Sequence, residues 1–228
     1  MIATLTTAIG LMGSTAYFSP WIWRQVRMGG IRSEVTNNRL LVLTYDDGPS
    51  DSVTPELLDL LRQHEATATF FMLGRNANQY PHIADRVLQE GHDIGCHSDQ
   101  HINAWKATPW RAIKDINAGY DRLSPWVRAN GMFRPPYGKM TLPTFSAIRR
   151  RGASVWWWTI DSGDTHKILP RPGQVVESVQ RQNGGIVLLH DVERSKDRNE
   201  FVLKTTAALL DLAKKESLTI TPLRKLCR

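Results

Sequence analysis

The sequence predicts one α/β domain, a distorted (β/α)7-type barrel, preceded by an N-terminal hydrophobic segment. Three observations lead to this fold class. The 228 residues are enough for one well-buried domain and few for two. Hydrophobic residues make up 41% and charged residues 22%, which is the profile of a globular protein. From residue 38 to residue 228, short apolar runs alternate with stretches of helical periodicity, as in parallel strands joined by helices.

Residues 1–30 form the N-terminal hydrophobic segment, a candidate membrane anchor. No charged side chain occurs from Ile2 to Trp23, and three arginines then follow at positions 24, 27 and 32. The segment is long enough to cross a bilayer, but Thr, Ser, Gly and Pro dilute its hydrophobicity. Two arrangements therefore stay open. The segment either inserts into the bilayer as a helix or forms a peripheral helix that lies on the membrane or on the domain. Membrane association with the domain on the cytoplasmic face is favoured by the trailing arginines, and export with anchoring is the alternative.

The barrel prediction rests on seven candidate strands and six helical stretches that alternate along the chain. The strands are Leu40 to Tyr45, Ala68 to Leu73, Asp93 to Cys96, Met132 to Arg134, Ser154 to Ile160, Ile186 to Leu189 and Leu218 to Thr221. The helices are Thr54 to His64, Pro81 to Gln89, Pro109 to Leu123, Leu142 to Arg150, Gln174 to Gln182 and Glu200 to Lys214.

Ionisable residues follow the predicted strands at the same end of each. The clusters are Asp46-Asp47, His97 to His101, Arg134 to Gly138, Asp161 to Asp164 and His190-Asp191. Because the carboxyl ends of parallel strands form one rim, we expect these clusters to build one site.

A metal site is predicted at this rim. His97 and His101 are four residues apart, which would place both rings on one face of a helical turn. With a carboxylate from Asp46 or Asp47 they form a donor set that leaves coordination positions open, as catalytic metal sites do. The other aspartate is then free to take a proton from water, and the residues alone leave the two roles interchangeable. Four further histidines are predicted to be solvated: His64, His82, His92 and His166.

A proton donor is predicted at the end of the sixth strand. His190 ends a fully apolar run, and a nearby carboxylate would hold its ring charged so that it could protonate a leaving amine. Asp161 and Asp164 are both candidates for that carboxylate. Arg134 is the natural counter-ion for the aspartate that binds no metal.

Net charge and motif content indicate which partners to expect, and cysteine content indicates whether disulfides form. The net charge of +7 favours acidic partners, including an anionic membrane surface. No nucleic acid is expected, because no zinc-finger, RRM or helix-turn-helix motif occurs. The two cysteines, Cys96 and Cys227, do not suggest a disulfide framework, and Cys96 is expected to be a buried packing residue. The sequence carries no indication of the oligomeric state.

From Leu40 to Leu223 the chain resembles the NodB-type polysaccharide deacetylases of carbohydrate esterase family 4. Five ordered motifs carry the resemblance. They are T-Y-D-D-G-P at Thr44 to Pro49, H-S-D-Q-H at His97 to His101, R-P-P-Y-G at Arg134 to Gly138, D-S-G-D-T at Asp161 to Thr165, and L-L-H-D at Leu188 to Asp191.

The resemblance implies a TIM-like NodB barrel and assigns a role to each site residue. It implies that Asp46 is the base, that Arg134 tethers this base, and that the metal ligands are Asp47, His97 and His101. It implies that His190 is the acid and that Asp164 tunes it. It also implies that Tyr137 donates its backbone N–H to the oxyanion and that Leu189 forms a wall of the acyl pocket. The chain departs from the family pattern at Thr165, where tryptophan is usual, and at Cys96, where asparagine is frequent.

The implied activity is metal-dependent hydrolysis that removes an N-acyl group from an amino sugar in a glycan or a lipid-linked saccharide. Acetyl is the acyl group expected first. Zinc is the implied metal, and Co²⁺, Ni²⁺ and Mn²⁺ also suit the ligands. Three alternatives stay open. They are deacylation or deformylation of a small or lipid-linked N-acyl amine, carbohydrate binding without catalysis, and phosphoester hydrolysis.

Overall fold

The computed structural model describes residues 2–226, with side-chain surroundings described from Ser19 onward. Cys227 lies outside the described residues. Six strands occur in this part of the chain, all paired in parallel. They are β1 (Leu40–Asp46), β2 (Thr69–Met72), β3 (Asp93–Cys96), β4 (Ile160–Asp161), β5 (Gly185–His190) and β6 (Thr219–Ile220).

The sheet has the order β3-β2-β1-β5-β4, and β6 pairs with the first residues of β1. Single bridges from Cys96 to Phe133 and from Phe133 to Val155 continue the sheet beyond β3. The chain from Val155 then runs into β4, which pairs with β5. These pairings follow a full circuit, so the parallel sheet curves into an irregular barrel.

Two of the seven predicted strands differ from the observed ones. The predicted strand at residues 132–134 is reduced to the bridge at Phe133, because Pro135 and Pro136 follow at once and cannot donate to a ladder. The predicted strand at residues 154–160 is a bridge at Val155 followed by the two-residue β4. Its middle part crosses from one neighbour to the other: Trp156 N–H donates to Phe133 O, and Thr159 N–H donates to Ile186 O.

Eight α-helices surround the sheet in the described part of the chain. They are α1 (Ile2–Asn37), α2 (Val53–Gln63), α3 (Gly74–Gln79), α4 (Pro81–Gln89), α5 (Pro109–Arg122), α6 (Leu142–Arg150), α7 (Pro172–Gln182) and α8 (Lys196–Glu216). The sequence did not indicate α3, which has only six residues and is too short for a clear period.

Helix α1 continues past residue 30 and its second half packs on the barrel. Met28, Ile31 and Val35 are buried in the main core, and Trp23 packs its ring against Phe145 with centroids 4.9 Å apart. Pro20 lies inside the helix. Among the described residues, no helix combines the length and the apolar character that spanning a bilayer would require.

The central strand β1 directs alternate side chains to opposite sides of the sheet. Tyr45 points outward, and its hydroxyl lies 3.0 Å from the Thr206 hydroxyl on α8. Thr44 and Asp46 point inward, where both accept hydrogen bonds from Arg134. Since β1 pairs with β5 in register, Tyr45 beside Leu189 and Asp46 beside His190, the inward set on β5 includes His190.

We expect Trp23→Ala to lower the free energy of unfolding by about 2 kcal/mol, less than for a fully buried tryptophan because Trp23 is only partly buried. Urea denaturation at unchanged m-value measures the loss. Trp110→Ala is the control, because this ring is 77% exposed and its removal should change stability by less than about 0.5 kcal/mol. Equal effects of the two substitutions would contradict the packing of α1 on the barrel.

Candidate active site

A buried ion pair lies at the carboxyl end of β1. Arg134 Nη1 donates to Asp46 Oδ1 at 2.7 Å and to Thr44 Oγ1 at 2.8 Å. Arg134 is 0% and Asp46 2% exposed, and the guanidinium lies 4.2 Å from the ring centroid of Phe71. Burial raises the pKa of Asp46, and the charge and hydrogen bond of Arg134 oppose that rise. Arg134 therefore favours the ionised form of this carboxylate.

Asp47, His97 and His101 converge beside this pair. Asp47 Oδ1 lies 3.5 Å from His97 Nε2 and 3.3 Å from His101 Nε2, and all three donor atoms lie within 4.8 Å of one another. His97 Nδ1 lies 2.7 Å from the carbonyl oxygen of Arg134, to which it must donate, so the Nε2 lone pair faces Asp47. Asp47 Oδ1 is buried and has no hydrogen-bond partner among the described residues. An orphaned carboxylate oxygen beside two imidazole nitrogens fits a divalent cation.

Both histidines favour the neutral form that a metal ligand needs. Burial lowers the pKa of His97 to about 3, although Asp47 acts in the opposite direction. Burial also lowers the pKa of His101. Neither ring therefore has to lose a proton near neutral pH before it can bind a metal.

The prediction that these two histidines share a helical turn is wrong. Residues 97–101 form a loop in which Ser98 and His101 have positive φ angles of 69° and 60°. Asp115 on α5 holds this loop, accepting the backbone N–H of Gln100 at 2.7 Å and that of Ile102 at 3.2 Å. The sequence gave no reason to single out Asp115, because its function depends on contacts with a distant loop.

His190 is paired with Asp164, not with Asp161. His190 Nδ1 lies 2.9 Å from Asp164 Oδ1, and the His190 backbone N–H donates to Asp164 Oδ2 at 2.8 Å. Burial opposes protonation of the ring, but Asp164 outweighs it and raises the pKa of His190 to about 9. Asp161 accepts the backbone N–H of Gly163 instead. His190 is therefore positively charged at neutral pH.

The loop after β1 is fixed by Asp191, a residue to which sequence reasoning assigned no role. Its carboxylate accepts the backbone N–H of Gly48 at 3.1 Å and the hydroxyl of Thr54 at 2.8 Å. A Cβ atom on Gly48 would lie 2.1 Å from Asp191 Oδ2, so this contact requires glycine. The Gly-Pro pair after two aspartates was a signal that the loop is tightly held.

The described part of the chain contains a cavity of about 530 Å³ at this rim. Its lining includes Asp47, His101, Tyr137, Gly138, Lys139, Trp158, Asp161, Thr165, Leu188, His190 and Arg194. Tyr137 is 56% exposed and has a φ angle of 57°. Thr165 is exposed at the mouth of the cavity.

Two sequence predictions about single residues are wrong. Leu189, expected on the acyl-pocket wall, is fully buried outside the lining, and Leu188 lies there instead, because neighbouring strand residues point to opposite faces. His92, expected to be solvated, is 2% exposed, and its Nδ1 accepts the backbone N–H of Ala68. The other three histidines expected in solvent are exposed.

Arg194 is a further site residue that the sequence did not single out. Its Nη2 lies 3.3 Å from Asp47 Oδ2, and its side chain lines the cavity. It follows the strand-end motif by three residues, in a stretch without periodicity. Only the fold brings it to the rim.

Comparisons with known proteins agree with one another. The family model described as polysaccharide deacetylase matches residues 33–156. A peptidoglycan-N-acetylglucosamine deacetylase of Bacillus cereus is 36% identical over 191 residues, which cover 82% of this chain and 88% of the relative. The peptidoglycan-N-acetylglucosamine deacetylase PgdA of Listeria monocytogenes is 35% identical over 76% of this chain, and the match spans 35% of its length.

The structural comparison gives the same relationship. A crystal structure of a peptidoglycan N-acetylglucosamine deacetylase in complex with a naphthalenyl-N-oxidanyl-benzamide is 26% identical to this chain, with a TM-score of 0.74. The superposition covers 83% of this chain and 88% of that one.

We expect His190 to titrate near pH 9 in the chelator-treated protein, followed by NMR of its ring protons. A histidine in the unfolded chain has a pKa of about 6.5. The pairing of His190 with Asp164 therefore stabilises the fold fully below that pH, and this stabilisation is lost as the pH rises through about 9. Asp164→Asn should move the titration of His190 below about 6.5, because burial then acts without the carboxylate.

Asp161→Asn is the matched control for this titration and should leave the pKa of His190 near 9, since Asp161 hydrogen-bonds Gly163 rather than the ring. A wild-type titration at or below about 6.5 would contradict the assignment.

Proposed function

Because the chain belongs to the polysaccharide deacetylase family, a family of carbohydrate deacetylases, we propose that it is a metal-dependent hydrolase that removes N-acetyl groups from an amino sugar of a glycan. One observation carries the proposal. The Asp46 carboxylate paired with Arg134, a three-residue metal-ligand set and a protonated histidine lie together at one rim, where Asp47, His101 and His190 line a cavity of about 530 Å³. Amide hydrolysis needs a base, a polarising cation and an acid, and these three groups match those needs.

Asp47, His97 and His101 would hold the cation, with zinc as the first choice and cobalt, nickel or manganese as alternatives. When bound there, the cation would polarise the amide carbonyl and increase the acidity of water. Asp46 takes the proton of the attacking water in its ionised form, which Arg134 favours through its charge and hydrogen bond.

The remaining residues act on the oxyanion, the leaving group and the acyl chain. The backbone N–H of Tyr137 donates to the oxyanion as negative charge develops there. His190, protonated through its pairing with Asp164, gives its proton to the departing amine. Leu188, on the cavity wall, offers an apolar surface to the acyl methyl group.

The names of the two relatives support an amino sugar of peptidoglycan as the substrate. Thr165, a small exposed residue on the cavity lining, stands where the family pattern has tryptophan, and a smaller side chain there suits a bulky glycan or a lipid-linked saccharide. Product analysis of metal-loaded protein on peptidoglycan, chitin oligomers, a lipid-linked acylamino sugar and a small N-acyl amine tests the choice. Acetate release supports the proposal, and phosphate release or binding without turnover contradicts it.

We expect Asp46→Asn to keep its metal and to lose about 10²–10⁴-fold in kcat, the usual effect of removing a general base. His101→Ala should lose both metal and activity, because it removes one ligand of the set. Acetate release and metal content per chain measure the two effects.

Asp211→Asn is the control for charge, since Asp211 is exposed near the C-terminal end of α8 and does not line the catalytic cavity. It should keep wild-type turnover and metal content. Near wild-type turnover of Asp46→Asn would show that the base is another residue.

The proposed location is an anionic membrane surface, and the net charge of +7 supports it. We expect the full chain to float with vesicles that contain anionic lipid and to be released by about 0.5 M salt, which shortens the range of charge interactions. Vesicles of zwitterionic lipid should bind less. A full chain that stays unbound with both vesicle types would overturn this location.

A further inference from the structure

A second cavity adjoins the catalytic one. It has a volume of about 130 Å³ and lies between helix α1 and the segment that follows Tyr137. Its lining consists of Pro20, Trp21, Arg24, Trp105, Gly138, Lys139, Met140 and Trp157. Gly138 and Lys139 also line the catalytic cavity, so one ligand can extend from one cavity into the other.

The walls of this second cavity are aromatic and fixed. Trp105 donates its indole N–H to Met140 O at 2.8 Å, and Trp157 donates its own to Gly138 O at 3.2 Å. Lys139 Nζ lies over the Trp105 ring, 4.0 Å from its centroid. Flat indole faces beside hydrogen-bonding groups suit the apolar face of a sugar ring.

The same cavity carries two cations without a carboxylate. Arg24 lies 5.5 Å from the ring centroids of both Trp157 and Trp158, and Lys139 lies over Trp105. Within residues 19–226 neither cation has a carboxylate at ion-pair distance, and no acidic residue lines the cavity. The two arginines of the catalytic site differ, because Arg134 pairs with Asp46 and Arg194 contacts Asp47.

The environment of Arg24 is unfavourable without an anion. Its side chain is half-buried, and burial lowers the pKa of Arg24. Indole faces stabilise a cation only in part, and a partly desolvated guanidinium gains most from a charged acceptor. An incoming oxyanion would find two unpaired positive groups already in position.

We propose that this cavity is an anion-binding subsite, which receives a carboxylate or phosphate group carried by the substrate next to its acylated sugar. The proposal rests on the proposed deacetylase function, since it assigns a substrate feature to the neighbouring catalytic site. Arg24 offers a planar pair of donors that matches either oxyanion, and Lys139 adds a second charge at the junction of the two cavities. Arg24 and Lys139 are thus specificity-determining residues.

The test uses the full metal-loaded chain and three acetylated amino sugars of similar size. One is neutral, one carries a carboxylate (N-acetylmuramic acid) and one carries a phosphate (N-acetylglucosamine 1-phosphate). We expect higher kcat/KM for an anionic substrate than for the neutral one, and the better anion identifies the source. Arg24→Gln should reduce this preference about tenfold, mainly through KM, because one charge-assisted contact is lost. Arg24→Lys should keep part of the preference.

Arg32→Gln is the matched control, because it removes one charge from an exposed position of the same helix. It should keep the wild-type preference. An equal loss in Arg32→Gln and Arg24→Gln would show a general charge effect and overturn the subsite. So would an unchanged preference in Arg24→Gln, provided that thermal unfolding shows that this variant is folded.

A binding measurement separates this proposal from the proposed function. N-Acetylglucosamine 1-phosphate, N-acetylmuramic acid and the neutral methyl glycoside are titrated into wild type and Arg24→Gln, with the indole N–H signals of Trp105 and Trp157 observed by NMR. Selective binding of an anionic sugar that is weakened by Arg24→Gln supports the subsite even if no acetate is released. Absence of acetate release would count against the deacetylase function alone. No shift of these signals with either anionic sugar would overturn the subsite.

Discussion

The buried pair of Arg134 and Asp46 is the interaction on which the candidate site depends. Both charges are almost completely removed from water, so each is stable only with its partner in place. The carbonyl oxygen of Arg134 also accepts a hydrogen bond from His97 Nδ1, and its guanidinium donates one to Thr44 Oγ1. One side chain and its backbone therefore connect the ends of three strand segments. Loss of this residue would disturb the base, the orientation of one metal ligand and the closure of the barrel together.

The sequence predicted the location of the site better than its local geometry. Parallel strands end at one rim, so finding acids and histidines after successive apolar runs was sufficient to group them. The loop at residues 97–101 could not be foreseen, because its two positive φ angles are held by Asp115 from another helix. The error at Leu189 was avoidable, since alternation along a strand that presents His190 to the site also presents Leu188.

Strands and helices were predictable where a local sequence pattern determines them. They were less predictable where contacts between distant segments determine the structure. Strands β1, β2, β3 and β5 follow apolar runs and were found nearly to the residue. The segments near Phe133 and Val155 form only bridges, because prolines and a crossing path interrupt the ladders. The uncharged composition of the N-terminal segment left open a membrane helix or a packed one. Hydrophobicity alone could not reveal that Val35 and Trp23 contact the barrel.

The contact between Gly48 and Asp191 limits which positions of the rim can be replaced without moving catalytic residues. No side chain fits at Gly48, and Asp191 directly follows His190, so the two sides of the catalytic cavity are tied at this point. Insertions or bulky replacements there would shift a metal ligand and the proton donor at once. Lys139, which lies over Trp105, and the exposed Thr165 line the same cavity. Redesign of substrate preference should therefore begin with Lys139 and Thr165 and leave unaltered the Gly48 turn and Arg194, which contacts Asp47.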